Sequence, residues 1–72
     1  MREYHVELGT EAADGRFVRA DAEPLLARTN DEAVLIAEEV IRRALERGSS
    51  TKALLLDERT ALVKAWDLRA KH

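Results

Sequence analysis

Between Lys52 and Arg69 the chain reads KALLLDERTALVKAWDLR, two apolar runs separated by a polar turn. Such a pattern is a β-hairpin signal. With Asp57-Glu58-Arg59-Thr60 as the turn, Leu56 faces Ala61, Leu55 faces Leu62, Leu54 faces Val63 and Ala53 faces Lys64. Opposed residues share a face. One face then carries Leu54, Leu56, Ala61, Val63 and Ala65, and the other Leu55, Leu62, Trp66 and Leu68 with Lys64 among them. An odd loop slips the register by one residue and exchanges the sets, yet both faces stay apolar. This constrains the fold more than any other segment: one helix covers one face of a sheet, so the second face needs its own cover.

The helix is legible in Thr29-Asn30-Asp31-Glu32. This is a capping box, in which Thr29 accepts from the Glu32 amide and the Glu32 carboxylate reaches back to the Thr29 amide. Asp31 and Glu32 suit the positive end of the helix dipole, and Arg42, Arg43 and Arg47 the negative end. Gly48 suits the left-handed position after the last turn, which predicts a helix from Asn30 to Arg47. At 100° per residue, Ala33, Val34, Ile36, Ala37, Val40, Ile41, Ala44 and Leu45 form one broad apolar arc. Glu38, Glu39, Arg42, Arg43 and Glu46 fill the other side, where Glu38–Arg42 and Glu39–Arg43 are favourable i, i+4 pairs. Only Leu35 interrupts that charged side. The arc is centred on alanines, which lets the helix lie close on a sheet, and its expected seat is the smaller hairpin face (Leu54, Leu56, Ala61, Val63, Ala65).

Upstream, Tyr4, Val6 and Leu8 alternate with His5 and Glu7, the pattern of a half-buried strand. Asp14-Gly15 is a turn signal, and Arg16 to Ala22 reads as a second strand. With the turn centred there, Phe17 lies opposite Ala12 and shares the face of Val6 and Leu8. Pro24 has no amide hydrogen, so it ends that strand or sits at a sheet edge. Leu25 and Leu26 then turn inward, with room for a short further extended piece. The fold class expected is α+β: residues 1–72 form a single small domain, a four-stranded, mainly antiparallel sheet in the order β-β-α-β-β with one helix packed on one face.

Seventy-two residues bury only about 60% of their unfolded surface, so a monomer of this size is marginal and usually gains stability from disulfides, metals or association. The chain has no cysteine, and its only histidines are His5 and His72. Oligomerisation is therefore the expected supplement. Charged residues make up 36% of the chain but nearly cancel, at a net charge of −2, which argues against binding nucleic acid by neutralising phosphates. No apolar run is long enough to span a bilayer, and MREYHVEL has no apolar signal-peptide core. A cytoplasmic protein is expected, with a composition of bacterial character.

No reactive chemistry is expected. Ser49 and Ser50 lie in a linker remote from either histidine. His5 reads as a surface residue facing Glu7, and His72 as a terminal one. Asp14, Asp21, Glu23, Asp31 and Glu32 lack the spacing of a hard-cation site. No phosphate-binding glycine loop occurs, and Arg16-Phe17-Val18-Arg19 is too short to make a basic–aromatic RNA platform. The chain is expected to be no enzyme and to need no cofactor or metal. The candidate site is a protein contact surface made by Leu55, Leu62, Trp66 and Leu68, because large uncovered apolar patches mark interfaces and tryptophan dominates binding energy. Two other readings of the same residues stay open: Trp66 caps the core edge while the N-terminal segment covers Leu55, or the face forms a small-molecule groove.

The order Tyr4-x-Val6-x-Leu8, Asp14-Gly15, Thr29-Asn30-Asp31-Glu32-Ala33 and a closing hairpin with Arg59 and Trp66 resembles a group of small uncharacterised proteobacterial proteins. That resemblance implies a β-β-α-β-β domain of unknown function and no active site. Tyr4-x-Val6, Asp14-Gly15-Arg16-Phe17-Val18 and Asp31-Glu32-Ala33 also resemble the HicB-like antitoxin domain. The Pro-x-Leu-Pro-Gly stretch of that family is missing here, the spacing from turn to helix is shorter, and no C-terminal DNA-binding segment follows. The functional expectation is a non-enzymatic interaction module that self-associates as a homodimer through the C-terminal hairpin; the alternative is an antitoxin-like or inhibitor-like binder of one other protein.

Overall fold

Tyr4, Val6 and Leu8 set the frame of the molecule. In the computed structural model, which describes residues 1–48 and 50–69, all three are buried on one side of the first strand. The chain runs β1 (Arg2–Glu11), β2 (Phe17–Ala27), α1 (Asn30–Leu45), β3 (Lys52–Leu56) and β4 (Leu62–Asp67). The four strands form one antiparallel sheet in the order β2-β1-β3-β4. The fold is thus α+β, with one helix among the described residues.

β1 pairs Tyr4 with Leu25 and Val6 with Leu55, and Leu8 meets Ala53. These residues share one face and are buried together with Ala27. Ala33, Ala37, Val40 and Ile41 of α1 close over them. Ala33 and Ala37 are fully buried, and their small side chains leave room for the larger ones rising from the sheet. The Tyr4 hydroxyl donates to Asn30 Oδ1 at 2.7 Å, tying β1 to the first residue of the helix.

This corrects the expected seating of the helix. Leu54, Leu56 and Ala65 share one face and Leu55, Lys64 and Trp66 the other, as the sequence suggests, but Leu62 pairs with Leu56 and so changes face, and α1 lies on the side of Leu55 and Trp66, not on that of Leu54 and Leu56. The reason lies in β1. Its apolar side is Tyr4, Val6 and Leu8, and its other side is Glu3, His5 and Glu7. The helix must cover the former, and the β1–β3 register places Leu55 there. The hairpin register also differs: Leu55 faces Lys64, Leu54 faces Ala65 and Ala53 faces Trp66, with an irregularity that leaves Leu56 opposite Leu62.

Both hairpins turn through the same kind of three-residue loop. In the first, the Gly15 amide donates to the Ala12 carbonyl and the Ala12 amide to the Arg16 carbonyl. In the second, the Thr60 amide donates to the Asp57 carbonyl and the Asp57 amide to the Ala61 carbonyl. Such a loop places its third residue in the left-handed region, at Gly15 with φ 87° and at Thr60 with φ 62°. The odd loop length puts Phe17 opposite Glu11, not Ala12. Phe17 therefore aligns with Arg19 and Glu7 instead of the core face of Val6 and Leu8.

β2 runs on through Pro24 to Ala27 as one edge strand, so no separate extended piece exists. Leu25 is buried but Leu26 is 54% exposed, as alternation requires. A register shift at Leu8/Gly9 leaves Ala20 as the extra residue of a β-bulge. There β2 passes so close that a side chain on Gly9 would meet the Val18 carbonyl oxygen at 2.0 Å.

The helix starts as expected, with the Glu32 amide donating to Thr29 Oγ1 at 3.1 Å. The Glu32 carboxylate accepts from the Arg28 amide, one residue before the expected partner. The last helical residue is Leu45, and Gly48 is not left-handed: its amide donates to the Ala44 carbonyl at 3.0 Å, so the chain leaves by a frayed turn. Leu35 is exposed, as its place on the charged side predicts.

Candidate protein-contact surface

The four residues singled out from sequence come apart in the structure. Leu55 is fully buried and belongs to the core, because α1 and β1 enclose its side chain. Trp66 and Leu68 are half-buried against that core, and Leu62 is 60% exposed. Leu55 therefore contributes no surface to the folded chain; Trp66 and Leu68 stay together on the helix side, while Leu62, opposite Leu56 beyond the bulge at Val63, lies on the other face.

The placement of α1 explains the difference. It packs chiefly over β2, β1 and β3, and β4 lies at the margin of its cover. Glu38 reaches across: its carboxylate lies 3.7 Å from Lys64 Nζ and accepts from the Trp66 indole N–H at 3.4 Å. Lys64 Nζ in turn sits 5.4 Å from the centre of the Trp66 ring, within cation–π range. Glu38 thus serves β4 instead of the expected pair with Arg42, which is bonded to Glu39 and lies 3.9 Å from Glu46. The expected Glu39–Arg43 pair is present at 3.9 Å.

The backbone of β4 faces two ways. The Leu68 amide donates to the Thr51 carbonyl at 2.9 Å. Bonding groups alternate sides along an antiparallel strand, so Trp66 and Lys64 also bond inward to β3. Ala65, between them, turns its N–H and C=O outward at the sheet edge. The same alternation carried across the sheet puts Pro24 at an outward position on β2, where its missing donor costs no bond.

The face away from the helix is a second surface. Its central rows read Pro24, His5, Leu56, Leu62 and Ala22, Glu7, Leu54, Ala65 across the four strands. Leu54 and Leu56 are half-buried by their neighbours alone. Along β1 a polar ridge divides this face: His5 Nε2 lies 3.3 Å from a Glu7 oxygen, which is 3.4 Å from Arg19. His5 is thus placed facing Glu7, as its alternation implies.

Comparison with family models, with curated proteins and with solved structures found no match.

A cleft of about 250 Å³ opens at the end of β3 and β4, lined by Lys52, Trp66, Asp67 and Arg69 among others. Asp67 binds the Arg69 guanidinium through both oxygens, at 3.0 and 2.8 Å. Among the described residues no group of three or more His, Asp or Glu side chains is placed to hold a metal, and no helix is long and apolar enough to cross a membrane. His72 lies outside the described residues.

Sequence reasoning placed Lys64 on the face of Trp66 but missed Glu38 and Ala65 as members of this surface. The Lys64-x-Trp66 spacing on an alternating strand already puts the amine and the indole on one side. The outward turn of Ala65 depends on the strand order, which no local signal carries.

Proposed function

We propose that the chain is a non-enzymatic protein-interaction module that self-associates through the outer strand of its C-terminal hairpin. One observation carries this reading: the edge strand β4 lies at the margin of α1, with Trp66 and Leu68 only half-buried on the helix side and Leu62 exposed on the other. Covering one such side chain stabilises by roughly 1.5–3 kcal/mol when burial is complete. A domain of this size has little other reserve. Sedimentation equilibrium from low to high micromolar concentration tests the reading. The expected mass is twice the 8.1 kDa of the chain, and Leu62→Glu, at an exposed position, shifts the species towards monomer with an unchanged far-ultraviolet spectrum. A wild-type mass of one chain throughout the series overturns it.

A binder of one different protein is the second reading, favoured by the face away from the helix, where Leu26 is 54% exposed and Leu54 and Leu56 have no cover beyond their neighbours. A stoichiometric heterologous partner that is lost with Leu26→Glu would identify that reading.

A further inference from the structure

We propose that two copies join edge to edge, β4 to β4, in an antiparallel pair centred on Ala65, so that the two four-stranded sheets become one continuous sheet. The proposal rests on the self-association reading and gives it a geometry.

The free edges of the sheet are β2 and β4, and they are not equivalent. β2 carries the devices that block edge pairing: Pro24 at an outward position, the bulge at Ala20 and the charges Arg19, Asp21 and Glu23. β4 has no proline, its bulge at Val63 lies before the segment Lys64–Asp67, and Lys64 is its one cation, already beside Glu38.

The register follows from faces and charge. Opposed residues in an antiparallel pair share a face, so a two-fold axis must pass through a residue. Centred on Lys64, the axis sets the two ammonium groups directly opposite each other, in the close, non-hydrogen-bonded type of pair. Centred on Ala65, it pairs the outward N–H and C=O of Ala65 with those of its copy. Lys64 then lies opposite the copy's Trp66, and Trp66 opposite the copy's Lys64, repeating across the seam the contact that each chain makes within itself at 5.4 Å. The bulge at Val63 turns Leu62 to the other face from Leu68, so the paired segment centres on Lys64–Trp66, where the stem of each copy's lysine covers the other's half-buried indole.

Two variants and a crosslink test this geometry in the full chain. Ala65→Pro removes the central donor while leaving every bond to β3, since that N–H points outward and proline is tolerated at sheet edges. It raises the dimer dissociation constant by about tenfold or more with the monomer's far-ultraviolet spectrum retained. Ala65→Cys, in a chain without cysteine, places two thiols across the axis with Cα atoms about 5.5 Å apart. A short bis-thiosulfonate reagent should then join the chains rapidly, and Glu58→Cys in the β3–β4 turn should not react in this way. A dimer that persists in Ala65→Pro and is not crosslinked at position 65 overturns the edge-to-edge geometry while leaving self-association standing. A monomeric wild type overturns both. If Ala65→Pro does not fold, the crosslink decides alone.

Discussion

Thr60→Gly should stabilise this protein, although it removes a side chain. Thr60 occupies the left-handed position of the β3–β4 loop at φ 62°, the position that glycine fills in the β1–β2 loop. The left-handed conformation costs a residue with a Cβ about 1–2 kcal/mol, and β-branching makes it rarer still. Opposing this, glycine gives the unfolded chain extra freedom, worth about 0.4–1 kcal/mol. The Thr60 hydroxyl also donates to the Arg59 carbonyl, an exposed bond that water replaces at little cost. The net gain is about 0.5–1 kcal/mol, which in a domain of this size raises Tm by about 2–8 °C. Thermal unfolding followed by circular dichroism, at one fixed protein concentration, measures it. Gly15→Ala is the matched control and should lower stability by about 1 kcal/mol or more. A Tm for Thr60→Gly equal to or below that of the wild type would refute the reasoning, because the strain it relieves would then be absent.

Other predictions concern the core, the close strand crossing and the acid limit. Leu55→Ala should cost about 2–5 kcal/mol as a cavity at a fully buried site; Leu62→Ala should stay within about 0.5 kcal/mol of the wild type when measured on the monomer. Equal effects in urea titration would contradict the placement of Leu55 under the helix. Gly9→Ala should destabilise by about 3 kcal/mol or more, because its Cβ has the Val18 carbonyl oxygen at 2.0 Å and must push two strands apart. Asp57 Oδ1 accepts from the amides of Ala61 and Arg59, each at 2.9 Å, and these bonds hold its carboxyl below the ordinary range. A depressed folded pKa stabilises above the unfolded value and is lost as pH falls through the folded one. Wild type should therefore lose more stability below about pH 4 than Asp57→Ala does, and parallel acid profiles would count against the loop carboxylate.

Much of the architecture could be read from local signals. Thr29 and Glu32 mark where the helix begins because capping is a contact between near neighbours. Tyr4, Val6 and Leu8 mark the buried side of β1 because alternation needs no partner. The same alternation separated Leu54, Leu56 and Ala65 from Leu55, Lys64 and Trp66, but it could not show the bulge at Val63 that moves Leu62 to the other face. What escaped was long-range. Which of those faces lies under α1 is decided by β1, inserted between β2 and β3, and nothing within residues 52–69 announces that Val6 will stand opposite Leu55. The candidate surface was therefore only partly legible: Trp66 and Leu68 lie together at the margin of the helix, where Glu38 joins Trp66, but Leu55 is interior and the bulge at Val63 turns Leu62 to the other face. Loop length was hidden too. Asp14-Gly15 suggested a two-residue turn, and the third loop residue moved Phe17 off the core face.

The most direct measurement is amide hydrogen exchange at Ala65 as a function of protein concentration. Its N–H points out of the sheet edge in one chain, whereas the Trp66 amide bonds inward to β3 and serves as an internal reference. The account predicts slow exchange at Ala65 that accelerates on dilution while Trp66 stays protected in the folded chain. Fast exchange at Ala65 at every concentration, beside a protected Trp66, would contradict it.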